Sequence, residues 1–344
     1  MLIGYYTDPH WTMASSILKA TSGKLGPRLE SMIESYRWMY DRLGKDVDAI
    51  VDGGDLTDNA FLRAEEISAM STALSFNKGI PEYHLLGNHE KLTESSEYHS
   101  LSMLGLLPHI KIIDKPQRMD INPDVSFLPY SHNPDLSTIR ELSGKVLFSH
   151  VTVLGSLLTS VFRASHGVDA QFLDDCFDLV LNGHIHSSQW VSKKVLNFGV
   201  MTGVSFGDNY QLHYPSIGIL DTDTMKVEVI ENPHAIRFKK FECDTIAGLS
   251  TYLNGLKPGN YALQVKVPFE LRDEARRIVN SDPKVVSSRV SSKIDTHTVL
   301  KTVEVDKISN RATGRESLVE FVKTKKKLSH EASDIFRVID SLYE

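Results

Sequence analysis

Short apolar runs recur along the first two-thirds of the chain, and each ends in a polar cluster. Leu2–Tyr6, Ala49–Val51, Tyr83–Leu86, Val146–Phe148 and Leu179–Leu181 read as strands. Helical patterns separate the first of them. Pro27 opens one near Arg28–Leu43, with Leu29, Met32, Ile33, Tyr36 and Met39 at near-helical spacing. A second covers about Phe61–Phe76. The loop Trp11–Gly26 is rich in Ser, Thr, Gly and Lys. Such alternation predicts an α/β layered fold. Three short strands follow at Lys111–Ile113, Met119–Ile121 and Val125–Leu128. Residues 190–231 read as antiparallel hairpins, with Asp221–Thr224 as the turn between Ile217–Leu220 and Val227–Ile230.

Glu231-Asn232-Pro233-His234 marks a boundary that closes a first domain at 1–232. A second, smaller domain spans 235–307. It alternates strand Ile236–Phe241, helix Ile246–Leu256, strand Tyr261–Val267, helix Glu270–Asn280, strand Lys284–Val290 and strand Thr298–Val305. The tail, 314–344, carries two apolar stripes at helical spacing. Leu318, Phe321 and Val322 form one; Ala332, Ile335, Phe336, Ile339 and Leu342 form the other, with Ser329 as its expected N-cap. That face either docks on its own domain or is reserved for a partner.

Metal-binding residue types follow each of the five strands. Asp8 and His10 lie in TDPH, Asp55 in GGDLTD, Asn88 in GNHE, His150 in FSHV, and His184 with His186 in NGHIH. In open α/β sheets ligands bind beyond the carboxyl ends of strands, so all seven side chains are expected on one rim. Four imidazoles, two carboxylates and one amide oxygen suit manganese, iron or zinc better than copper(I) or calcium. Two ions on such a rim activate a water and offset charge on a leaving oxygen, which points to a two-metal phosphoesterase centre. A lone Asp-x-His carries little weight, because both residues are common in loops. Five clusters in order after five strands carry far more weight than any one of them.

This ordered set resembles the calcineurin-like metallophosphoesterases over roughly residues 1–232. The resemblance implies a layered αββα sandwich with a small α/β cap domain and a C-terminal helical tail. It implies that Asp8, His10, Asp55 and His186 hold one divalent ion. Asp55, Asn88, His150 and His184 would hold the other, with Asp55 bridging. Manganese is the expected metal, with magnesium, iron or zinc as alternatives. His89 would be a non-ligand catalytic histidine that contacts the phosphate and protonates the leaving oxygen. Residues 198–208 (FGVMTGVSFGD) and 216–221 (SIGILD) resemble SbcD/Mre-type DNA nucleases, and Ser165–Gly167 (SHG) is similar to their phage members. That branch implies DNA as substrate and an SbcC-type coiled-coil ABC ATPase as partner, bound through Leu318, Phe321, Ile335, Phe336 and Ile339. It also implies a homodimer built from the second helix and a helix around Tyr98–Leu107.

Two positions depart from that pattern. Glu90 stands where many cellular members have Asp, and Asp58 where many have His. Protein Ser/Thr phosphatases resemble the chain at both points, but their Asp-Arg-Gly is here Asp58-Asn59-Ala60. Asp58 either orients His89 and raises its basicity or caps the helix that follows. Two rival functions stay open: a phosphodiesterase or phosphatase acting on nucleotides or other phosphoesters, and a scaffold subunit that regulates the ATPase.

Charge and composition narrow the remainder. The net charge of −6 hides an asymmetry: from Ala235 onward there are 20 Lys+Arg against 15 Asp+Glu, and before it 18 against 29. A strongly basic, non-enzymatic DNA-binding module does not fit this balance. Arg272, Arg276, Arg277 and Arg289 are either solvated charge or contacts to a DNA backbone. Cys176 and Cys243 have no partner spacing, Met1–Tyr6 leads directly into a motif strand, and no apolar run approaches the roughly 20 residues of a membrane span. A cytoplasmic protein is expected. Trp11 and Trp190 sit near ligand clusters, where stacking on bases competes with core packing; for Trp190 packing is the expectation. His213 is a further candidate for the site, and the other histidines are expected at the surface or in packing.

Overall fold

Two six-stranded sheets organise the protein. The computed structural model describes residues 1–13, 25–44, 46–158, 162–208 and 210–293. The chain divides into one unit, Met1–Ser291, and a second, Ser292–Glu344. The predicted strand Thr298–Val305 and the tail residues Leu318, Phe321, Ile335, Phe336 and Ile339 lie outside the described residues.

The chain runs through β1 (Leu2–Tyr6), α1 (Gly26–Leu43), β2 (Ala49–Asp52), α2 (Ala64–Leu74), β3 (Glu82–Leu85), a 3-10 segment (Ser100–Leu106), β4 (Ile110–Ile113), β5 (Gln117–Arg118) and β6 (Val125–Leu128). It continues through α3 (Leu136–Glu141), β7 (Gly144–Ser149), α4 (Ala170–Cys176), β8 (Phe177–Asn182), β9 (Gln189–Trp190), β10 (Val195–Asn197), β11 (Ser216–Asp221) and β12 (Lys226–Glu231). The first sheet has the order β12-β11-β1-β2-β3-β4, and the second β5-β6-β7-β8-β10-β9. Strands β1–β4 are parallel, with β4 at one edge, as are β6, β7, β8 and β10. Antiparallel strands close both edges of the second sheet and one edge of the first.

The two sheets face each other. Ile3, Tyr5, Val51 and Leu85 of the first share one apolar core with Phe127, Phe148 and Leu181 of the second. The outer face of the first sheet packs on α1 and α2 through Tyr6, Ile50, Met32 and Met70. The outer face of the second packs on α3 and α4 through Leu147, Val180, Ile139 and Leu173. Buried parallel strands need apolar residues on both faces, which is why they read in the sequence as continuous runs.

One buried network is polar. Glu82 accepts hydrogen bonds from Tyr6 Oη (2.9 Å), Tyr40 Oη (2.9 Å) and Asn77 Nδ2 (2.9 Å), and His84 Nδ1 lies 2.9 Å from Asp52 Oδ2. It joins α1 to the first three strands through fully satisfied acceptors on Glu82. Burial pushes the Asp52 carboxyl up to about 6, against the pull of His84.

After β12 comes a three-stranded sheet of β13 (Ile236–Glu242), β14 (Asn260–Val267) and β15 (Val285–Ser292). Helices α5 (Ile246–Gly255) and α6 (Arg272–Ser281) cover one face around Leu249, Leu263 and Val279. Among the described residues no helix is long and apolar enough to cross a membrane.

Several local expectations are corrected. The helix expected around Tyr98–Leu107 is a 3-10 segment. The strand expected at Met119–Ile121 is the pair Gln117–Arg118, because the chain turns at once to meet β6, with Val125 N–H on Asn122 O and Asp124 N–H on Asn122 Oδ1. The helix at Phe61–Phe76 starts at Ala64, capped by Arg63 and Glu66, so Asp58 is not its N-cap. Helices α3 and α4 were not expected; Asp135 and Asp169 cap them, each with a side chain that accepts two backbone N–H groups. Trp11 is fully buried against Tyr36, whereas Trp190 is 49% exposed, the reverse of the expectation for Trp190.

Phe148 stands in the middle of the inter-sheet core, against Tyr5 and Phe127. Phe148→Ala is expected to cost about 3–5 kcal/mol, the usual cost of an aromatic-sized core deletion. Urea unfolding reads this as a lowered midpoint at unchanged slope.

Candidate metal centre

The carboxyl ends of β1, β2 and β3 in one sheet meet those of β7 and β8 in the other. The loops that leave them bring the predicted ligands together. Asp8, His10 and His186 form one group of ligand atoms, and Asp55, His150 and His184 another, each within 4.8 Å. His10 Nε2 lies 3.0 Å from His186 Nε2, and both nitrogens are near Asp8 Oδ1, at 3.8 and 3.7 Å. Asp55 Oδ2 stands between the groups, 3.8 Å from His10 Nε2 and 3.2 Å from His150 Nε2. Asn88 Oδ1 is buried without a hydrogen-bond partner beside them.

The backbone is strained to make this arrangement. Asp8, His10, Asp55 and His184 have φ of 51°, 49°, 53° and 69°. Left-handed conformations cost a non-glycine residue on the order of 1–3 kcal/mol each and persist where the surroundings over-determine them. The hydrogen bonds Asp8 N–H to Gly54 O, His10 N–H to Asp55 O, and His184 N–H to the Asp8 carboxylate do so here. Gly54 and Gly87 allow the close approach. A Cβ on Gly54 would fall on the His150 ring, and one on Gly87 on the Asp55 carboxylate.

Ring orientations are fixed from behind. His150 Nδ1–H donates to Gly53 O at 2.6 Å, which directs a bare Nε2 at Asp55. Two lone pairs facing each other need a shared cation or a proton. The same holds for the paired nitrogens of His10 and His186. The donor set therefore fits a metal ion. Without a metal the cluster demands protons instead. Burial alone would lower the His10 pKa, but Asp58 and Asp8 raise it to about 10. Burial is likewise overridden at His150, which Asp55 raises to about 9. Burial and the neighbouring His150 charge push His184 down to about 4. Asp55, despite its burial, is held well below the usual carboxylate range by His150.

His89 stands at the edge of the group. Its Nδ1–H donates to Asp58 O at 2.6 Å, and its Nε2 is 3.9 Å from Asp55 Oδ2. The Asp58 carboxylate lies in one group with His10 and His89, their ligand atoms within 4.8 Å of one another, and hydrogen-bonds neither ring as closely as its own carbonyl bonds His89. It is nearest to His10 Nδ1, at 3.4 Å, and its backbone carbonyl accepts the His89 Nδ1–H. His213 turns its Nδ1–H to Tyr214 O and packs on Phe198, a packing role. On α6, Arg272 and Arg276 pair with Asp273 and Arg277 is exposed; Arg289 lies on the strand Val285–Ser292.

Sequence reasoning missed four residues. The buried Asp208 carboxylate lies 3.5 Å from His186 Nδ1 and also accepts Val204 N–H at 2.7 Å. Thr152 Oγ1 lies 3.1 Å from His184 Nε2. The buried Arg28 donates to Gly203 O at 3.0 Å and to His10 O at 3.3 Å, so α1 pins two site loops. Glu90, noted only as a departure, accepts Thr57 N–H and Gly87 N–H at 2.8 Å each and ties the Asp55 loop to the Asn88 loop. Burial and the Asp55 charge push its carboxyl up to about 8. One signal was available: Asp208 closes the quoted FGVMTGVSFGD run. No protein family and no curated protein sequence matches this chain at a significant level.

The imidazole shifts set a pH dependence. A raised folded-state pKa contributes stability that is complete below the unfolded value, near 6.5, and is lost as pH rises through the folded value. Metal-free protein is therefore expected to lose stability between about pH 7 and pH 10. Manganese needs the neutral rings, so its binding should release protons at pH 7 and tighten as pH rises. Titration calorimetry in two buffers of different ionisation enthalpy counts those protons; a count of zero contradicts the assignment.

Proposed function

We propose that this protein is a metal-dependent hydrolase of phosphodiester bonds, and specifically a DNA nuclease subunit of the SbcD/Mre type within the calcineurin-like metallophosphoesterases. One observation carries the hydrolase reading. Dispersed residues of ligand type gather where two sheets meet: Asp8, His10 and His186 in one group and Asp55, His150 and His184 in another, with four of the six in left-handed backbone. The face-to-face sheets between helical layers also fit that family's sandwich. DNA as substrate rests on the sequence resemblance of residues 198–208 and 216–221.

Asp8, His10, Asp55, Asn88, His150, His184 and His186 would hold two divalent ions, manganese first. Bound there, the ions would supply a water of lowered pKa and offset negative charge on the phosphoryl group. The protein's own groups do the rest. Hydrolysis joins a water oxygen to phosphorus, breaks the bond to the leaving oxygen, and moves one proton to that oxygen. His89 would give it; in support, its Nδ1 bonds Asp58 O and its Nε2 lies 3.9 Å from Asp55 Oδ2. Asp58 and Asp208 act as positioning residues, through His10 and His186. A homodimer would use the surface that exposes Tyr98 (83%) and Leu106 (85%), apolar side chains that water solvates poorly. The SbcC-type ATPase remains the proposed partner of the tail. Cys176 and Cys243 form no disulfide, in keeping with a reducing, cytoplasmic setting.

Asp55→Asn tests the reading. It is expected to abolish manganese-dependent hydrolysis of linear duplex DNA and of bis-p-nitrophenyl phosphate, while circular dichroism reports an intact fold. Substantial remaining activity on either substrate would sink the two-metal assignment. His89→Ser should keep the metal content and lose about 10²–10⁴-fold on DNA, the typical worth of general acid catalysis. Nitrophenolate leaves without a proton, so the loss on the nitrophenyl ester should be much smaller. An equal loss on both substrates would mean that His89 positions phosphate instead.

A further inference from the structure

A cavity of about 260 Å³ opens directly beside Asn88. One wall is the loop from Gly87 to Glu94, and the other is formed by Tyr130 and His132. The Tyr130 ring lies against two of the predicted ligands, with its centroid 5.4 Å from that of His184 and 6.4 Å from that of His150. Leu92, 64% exposed, and Lys91 line the other side. Asn88 Oδ1, buried and without a partner, marks the inner end.

The walls are preformed. Tyr130 N–H donates to Leu86 O at 2.8 Å, which ties the end of β6 to the loop after β3. Glu94 Oε1 accepts from Ser131 Oγ at 2.7 Å and from His132 N–H at 2.9 Å, so one carboxylate staples the two walls together. Those two hydrogen bonds, the Ser131 one first, hold the Glu94 carboxyl below its usual range and keep the staple charged at neutral pH. A preformed groove spends little of its binding energy on ordering.

We propose that this groove is a nucleoside subsite, in which Tyr130 stacks on the base of the nucleotide whose phosphate lies at the Asn88–His150–His184 side of the rim. The inference rests on the reading of the rim as a phosphoester centre and adds what the phosphate must carry. An aromatic face and an aliphatic lip at Leu92 match a flat heterocycle, and Lys91 offers a cation toward its backbone. The carboxylates of Glu94 and Asp114, which also line the groove, suit the N–H edge of a base and not a second phosphate. The volume is below the roughly 300–1,000 Å³ of sites for drug-sized ligands, so it takes one base and not a folded peptide. Stacking tolerates any base, because every base has a π-face. The subsite therefore selects nucleotides over simple alkyl phosphates without selecting a sequence.

The test compares a nucleoside ligand with an alkyl one. With manganese-loaded protein, calorimetry gives Kd for the non-hydrolysable phosphonate analogue of thymidine 5′-monophosphate and for methylphosphonate. Kinetics give kcat/KM for thymidine 5′-(4-nitrophenyl phosphate) and for methyl 4-nitrophenyl phosphate. Wild type is expected to prefer the nucleoside member of each pair. In Tyr130→Ala and in Tyr130→Leu, which keeps apolar volume without a π-face, both preferences should fall about 10- to 100-fold, the worth of one base–aromatic stack. Tyr130→Phe should retain them. No preference in wild type, or a preference unchanged in the Ala and Leu variants, overturns the subsite. Failure of wild type to hydrolyse either ester overturns the hydrolase reading alone, and the binding ratio then decides the subsite by itself.

Discussion

Asp55 places a buried carboxylate between two sets of imidazoles, and the geometry of the rim follows from what that charge requires. Its Oδ2 faces His10 and His150, its Oδ1 accepts the His89 backbone N–H, and its carbonyl accepts His10 N–H. A second buried carboxylate, Asp8, is bound to the backbone of the His184 loop in the other sheet. Two like charges and several lone pairs at this separation repel one another in a medium of low dielectric constant. They stay together because positive charge is shared among them, as protons on His10 and His150 or as cations. The strained backbone at Asp8, His10, Asp55 and His184 is sustained by the same arrangement.

Each ring is also steered from its far side, and the steering groups come from distant parts of the chain. Gly53 O holds His150, Asp58 faces His10, Thr152 holds His184, and Asp208 faces His186. Such outer partners set which nitrogen carries the proton and where the other points. The segment that carries Asp208 reaches further. Phe206 packs edge-on against Phe238 of β13, and Arg28 of α1 donates to Gly203 O and Val204 O. The three-stranded sheet is thus mechanically continuous with the His186 side of the rim.

Much of this was legible in the chain. The five motif strands appear where their apolar runs predict, and the seven ligand-type residues lie at their carboxyl ends. Both signals are local: a buried parallel strand is a continuous apolar run, and the loop after it is where side chains can converge. Short elements were less legible. Helices α3 and α4 are six and seven residues long, too short for a periodicity to develop, and only their Asp caps mark them.

By itself the sequence determined the order of the motif strands and of the longer helices and the residue types at each strand end, and so which donor atoms the rim can offer. Tertiary structure alone decided that the motif strands divide between two facing sheets, because cross-sheet packing of Tyr5, Phe127 and Phe148 links residues remote in the chain. It decided that Trp11 is core and Trp190 exposed, since composition near a motif does not say which face a ring takes. It decided which group each carboxylate serves. Asp58 turns its side chain to His10 and its carbonyl to His89, Glu90 joins two loops, and Asp208 returns from over twenty residues downstream to His186. Hydrogen bonds of this kind depend on distances of about 3 Å between groups placed by the whole fold. No local pattern of residues encodes them.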